Sequence, residues 1–93
     1  MILTHQKNQI LNCLSPYQPT RVGIFGSYAR DEQRIDSDLD ILVSFKNRIN
    51  LFDLIGLEME LSELLGIKVD LVSEQAILPA LRPFIDKDLK NIL

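Results

Sequence analysis

The sequence predicts an α/β domain, a small sheet of at least three strands flanked by helices, and three observations predict it. Short apolar runs at strand period recur at Val22–Phe25, Leu39–Phe45 and Ile67–Val72. Runs at helical period, over residues 2–14 and 51–65, lie before and between them. Polar turn residues separate every pair, beginning with Ser15-Pro16 and Pro19.

Composition narrows the function classes. A chain of 93 residues with 46% apolar and 25% charged residues is expected to form one domain spanning the whole sequence. Its formal net charge of −3 argues against broad electrostatic binding to nucleic acid. Cys13 is the one cysteine, which rules out an internal disulfide and suits a reducing, cytoplasmic setting. No apolar run approaches the about 20 residues of a membrane span, and residues 1–10 lack a signal pattern.

In chain order, residues 2–14 read as a helix with Leu3, Ile10, Cys13 and Leu14 near one face. His5, the only histidine, reads as a solvated helix residue, and Cys13 as a small buried hydrophobe. Arg21–Phe25 is the first strand. Gly26-Ser27 breaks it, with Ser27 placed to cap a short helix from Tyr28 to about Glu32. A polar loop over 31–37 leads into the second strand, where Leu39, Ile41, Val43 and Phe45 alternate with Asp38, Asp40, Leu42 and Ser44. Asn50 caps the helix Leu51–Leu65, and Gly66 ends it. That helix carries two apolar stripes, Leu54, Leu57, Leu61, Leu64, Leu65 and Leu51, Phe52, Ile55, Met59, with Glu58 and Ser62 between them. One stripe is expected to cover the sheet. The other meets either a further helix or a partner. Ile67–Val72 is the third strand, with Lys68, Asp70 and Val72 on one face. A helical stretch from Ser73-Glu74 to Leu93, interrupted by Pro79 and Pro83, closes the chain and is apolar enough to require docking.

Phe25–Val43, reading FGSYARDEQRIDSDLDILV, holds the chemistry. Asp38 and Asp40 stand two apart on a strand, so both carboxylates aim into one volume. Two such groups repel unless a cation neutralises them, and oxygen-only ligands suit Mg²⁺ or Mn²⁺. Gly26 and Ser27 sit at a strand end, where free backbone N–H groups can take phosphate oxygens. Asp70, a charge inside an apolar strand, completes a triad if its strand lies beside the second. Asp36 reads as a solvated loop residue and, continuing the same rhythm, only as a weak substitute ligand. A phosphate cradle beside a dicarboxylate metal site is the layout of metal-assisted nucleotidyl transfer.

Gly26-Ser27, then Ser37-Asp38-Leu39-Asp40, then Asp70 after a helix, resemble the signature of the DNA polymerase β-like nucleotidyltransferase superfamily. The match is closest to its minimal single-domain members, the MNT-type antitoxins that accompany HEPN-domain toxins, and it covers nearly the full chain. The resemblance implies a mixed sheet in a nucleotidyltransferase fold, ATP as donor and two Mg²⁺ ions. It implies that Gly26 and Ser27 hold the β- and γ-phosphates, with Arg30 matching the family's arginine. It further implies that Asp38 and Asp40 bind both metals, and that Asp70 binds the catalytic one and readies the attacking hydroxyl. Relatives read Gly-Ser-x-Ala-Arg-Gly, whereas Asp31 stands here in place of the last glycine, where it is expected to weaken ATP binding. The implied reaction is transfer of AMP to a tyrosine of the cognate HEPN ribonuclease, which silences it. Binding and occlusion without chemistry, and transfer to RNA or a small-molecule hydroxyl, are the alternatives. Self-association and assembly with the toxin both remain open.

Overall fold

Alternation along Leu39–Phe45 drives the architecture, because it gives one sheet face a continuous apolar surface for two helices to cover. The computed structural model describes residues 2–93. Its elements are α1 (Thr4–Leu14), β1 (Pro19–Phe25), β2 (Leu39–Phe45), α2 (Leu51–Leu65), β3 (Val69–Ser73), α3 (Arg82–Asp88) and β4 (Lys90–Asn91). The strands form one mixed sheet in the order β3-β2-β1-β4, with β2 parallel to β3 and antiparallel to β1. Leu39, Ile41 and Val43 of β2 join Val22 and Ile24 of β1 and Val69 and Leu71 of β3 in the core. Ile10 and Leu14 of α1 and Leu57 and Leu61 of α2 close it from above. Leu42 is fully buried as well, but on the other face, beside Gly23 and outside that cluster. β2 is therefore covered on both sides over its second half and left open only where the carboxylates stand.

The α2 boundaries are those expected. The Asn50 side chain accepts the Asp53 N–H at 2.8 Å, and Gly66 ends the helix in the left-handed region at φ 68°. Leu57 and Leu61 face the core, whereas Leu64 is half exposed. Leu51, Phe52, Ile55 and Met59 are all exposed, Phe52 at 83%. Glu58 and Ser62, between the stripes, bond the sheet. Ser62 Oγ accepts the Val69 N–H at 2.9 Å and Glu58 Oε2 the Leu71 N–H at 2.8 Å.

Four expectations need correction. The first helix begins at Thr4, with the Leu3 N–H taken by Gln6 Oε1 at 2.9 Å. No helix runs from Tyr28 to Glu32, and Ser27 caps none. Gly26–Tyr28 is a single 3₁₀ turn, and left-handed backbone at Gly26 (φ 73°) and Asp31 (φ 60°) brackets it, so helical geometry cannot propagate. The third strand is Val69–Ser73, starting two residues late because α2 ends in the Gly66 turn. The final stretch is not helical to Leu93. A 3₁₀ turn at Glu74–Ala76 precedes α3, which has Pro83 in its first turn, and the chain then pairs with the free edge of β1. Gly23 and Ile24 stand opposite Asn91 and Lys90, and the Ile92 and Leu93 N–H groups both reach Val22 O. A strand edge with unsatisfied backbone groups outcompetes a helix for this segment.

Candidate active site

The turn after β1 and the opening of β2 meet because the two strands are antiparallel neighbours. Phe25 stands opposite Asp40, so Gly26 follows directly beside that carboxylate. A Cβ at Gly26 would overlap Asp40 Oδ2, and φ there is 73°. Glycine is demanded twice, by backbone conformation and by space. β3 lies parallel to β2, and its register sets Asp70 opposite Asp40. Asp38 precedes β2, half-buried, with Lys68 Nζ 3.6 Å from its Oδ2. Gly26, Ser27, Asp38, Asp40 and Asp70 thus gather on one sheet face at one end. Asp36 is exposed in the loop outside this group.

Electrostatics bear the marks of crowding. Asp40 is pushed up to about 6, first by burial, then by the charges of Asp70 and Asp38, with Arg30 pulling the other way. Among the described residues, no three His, Cys, Asp or Glu side chains are drawn together into a ready-made ligand group. The donors are nonetheless all carboxylate oxygens, and the like-charge strain on Asp40 is what a bound cation would relieve.

Arg30 is not free to point at will. Its Nη1 donates to Asp88 Oδ2 at 2.7 Å and its Nε to Glu32 Oε2 at 3.4 Å. Asp31 occupies the left-handed conformation that explains why glycine suits this position. His5 is exposed, and Cys13 is half-buried with its thiol pushed up to about 11, first by burial and then by Glu60. Neither lies in the site. Sequence reasoning missed Lys68 and Asp88. Lys68 was findable, being two residues before Asp70 in the sequence. Asp88 lies 58 residues from Arg30, and no local pattern points to it.

The chain belongs to the nucleotidyltransferase domain family, whose model matches residues 7–92. It is a nucleotidyl-transferring enzyme, and its substrate is a nucleotide. Over 93 residues, 100% of both chains, it is 40% identical to a Methanocaldococcus jannaschii protein named for an inferred protein adenylyltransferase activity. It is 48% identical over 56 residues, 60% of this chain and 57% of the relative, to protein adenylyltransferase MntA of Thermococcus cleftensis. A crystal structure of a toxin–antitoxin with AMP-PNP superposes with a TM-score of 0.85 at 25% identity, covering 94% of this chain and 72% of that one.

Proposed function

We propose that this chain is an antitoxin adenylyltransferase, which moves AMP from ATP onto a tyrosine hydroxyl of a HEPN ribonuclease toxin and so silences it. The observation that carries the reading is the register of Asp40 against Asp70, with Gly26 pressed against Asp40. It sets a glycine turn, with its free backbone groups, next to paired carboxylates.

In this reading the backbone of Gly26 and the Ser27 hydroxyl hold the β- and γ-phosphates, and Arg30 adds positive charge beside them. Asp70 stands by the incoming phenol and takes its proton. The phenolic oxygen bonds to the α-phosphorus, the bond to the β-phosphate oxygen breaks, and pyrophosphate leaves. Asp38, Asp40 and Asp70 would hold two divalent ions, Mg²⁺ or Mn²⁺, which neutralise the triphosphate and lower the barrier to ionising a phenol of pKa near 10. Further oxygens from the triphosphate would complete that ligand set.

In this reading the acceptor is brought by the partner protein. The exposed stripe of α2, with Phe52, Ile55 and Met59, and the exposed Leu81 and Phe84 near α3 are the surface on which the toxin would dock. Purified chain, ATP, Mg²⁺ and a HEPN toxin from the same genome provide the test. A toxin that gains the mass of AMP on tyrosine supports the proposal. A silenced toxin of unchanged mass makes this a binding antitoxin, and AMP found on RNA moves the acceptor.

A further inference from the structure

We propose that Asp88 is a positioning residue for the nucleotide: it holds the Arg30 guanidinium beside the Gly26–Ser27 turn and makes α3 part of the phosphate site. The inference rests on the reading that this turn takes a triphosphate.

The main chain already ties Arg30 to that turn, its N–H donating to Gly26 O at 3.1 Å. A long side chain on an exposed turn would still sample many rotamers. Asp88 removes that freedom through Nη1 and Glu32 assists through Nε, while Nη2 has no partner among the described residues. A planar fork with two of its nitrogens engaged presents the third in a fixed direction, which a phosphate oxygen can use.

The two partners are unequal. The Asp88 side chain is 17% exposed and that of Arg30 44%, so the carboxylate is the anchored member. α3 itself is pinned independently of Arg30. Arg82 of α3 binds Glu74 at 3.1 Å, and Glu74 in turn binds Arg21 of β1 at 2.7 Å. Beyond Asp88, Leu89 leans on the bare Cα of Gly23. Asp88 therefore stands on a rigid support, which is what a group that orients another requires.

Calorimetric titration of AMP-PNP with Mg²⁺ into six proteins tests this: wild type, Asp88→Asn, Arg30→Ala, their double variant, Asp86→Asn and Arg30→Lys. Asp88→Asn should weaken binding about fivefold, the scale of one charge-assisted hydrogen bond partly screened by water. The double variant should bind no more weakly than Arg30→Ala alone, because Asp88 acts only through Arg30. Asp86→Asn, which touches α3 but not Arg30, should leave affinity unchanged. Arg30→Lys keeps the charge, loses the fork, and should lose as much as Asp88→Asn. Unchanged or tighter binding by Asp88→Asn overturns the proposal, since Asp88 would then compete with phosphate for Arg30. A further loss on adding Asp88→Asn to Arg30→Ala overturns it too, making the role one of folding α3. Wild-type protein that binds no AMP-PNP overturns the phosphate reading of the turn and this inference together, whereas binding without coupling removes Asp88 alone.

Discussion

Asp40 and Asp70 face each other across adjacent parallel strands, and neighbouring strands run only about 4.8 Å apart. Each is the second residue of its strand, so both stand at the end of the sheet where β2 and β3 begin. Because Gly26 is packed against Asp40 from the other side, the carboxylate pair and the turn form one unit whose parts cannot move independently.

The first prediction concerns pH. Asp40 keeps its proton in the fold up to about pH 6, against 3.8 when unperturbed. The folded state binds more protons between those values, so this contribution to stability is fully present below 3.8 and is lost as pH rises through 6. Linkage gives ~3 kcal/mol for a wholly shielded group; with Asp40 only partly buried we expect about 1–2 kcal/mol. Urea midpoints in EDTA from pH 4 to 7 check it. Asp40→Asn should lose this slope and exceed wild type at pH 7, and a slope shared by both proteins would refute the assignment.

Metal ligation is tested by truncation. Asp38→Ala and Asp40→Ala should each cut transfer by about a hundredfold or more, the cost of losing a preorganised charge at the reacting phosphate. Far-UV circular dichroism should stay that of wild type. Added Mg²⁺ should raise the melting temperature of wild type and not of either variant. Transfer at the wild-type rate by either one would remove that residue from the site.

Three glycines separate strain from contact. Gly26→Ala meets left-handed backbone and Asp40 together, so it should cost about 1–2 kcal/mol and abolish nucleotide binding. Gly66→Ala meets left-handed backbone with open space around it and should cost about 1 kcal/mol with activity intact. Gly56→Ala, exposed within α2 and also in open space, should stabilise by about 0.5–1 kcal/mol. Thermal melts beside AMP-PNP binding read all three, and an active Gly26→Ala protein would show that the turn can back away from Asp40.

Docking is tested on the outer face of α2. Ile55→Glu with Met59→Lys alters side chains 43% and 67% exposed, so the protein should fold and still bind AMP-PNP. It should no longer capture the toxin in a pull-down. A folded double variant that retains the complex would move the interface elsewhere.

The parts of this fold written into short stretches were legible. β2 could be read because apolar residues recur at every second position from Leu39 to Phe45, and α2 because Asn50 and Gly66 mark its ends by local chemistry. The candidate carboxylates could be named from a two-residue spacing on one strand. The pairing of Asp70 with Asp40 was left conditional, since strand neighbourhood is a tertiary fact that the structure supplies. What escaped was set from a distance. Lys90-Asn91 becomes a strand only because β1 has a free edge, and no propensity in those two residues signals it. Tyr28 and Ala29 were read as the start of a helix, yet they are buried core residues in a turn fixed by Gly26 and Asp31.

Edge protection is the lasting consequence of Glu58 and Ser62. The outward N–H groups of Leu71 and Val69, the row by which an edge strand would recruit another chain, are spent on side chains of the protein's own helix. At the opposite edge, β4 offers only two residues. A sheet sealed on one side and cut short on the other cannot be lengthened by a passing strand, which guards an apolar chain against fibrillar growth. It also restricts sociability: company has to be received on helices, side chain to side chain, and cannot be admitted by extending the backbone ladder.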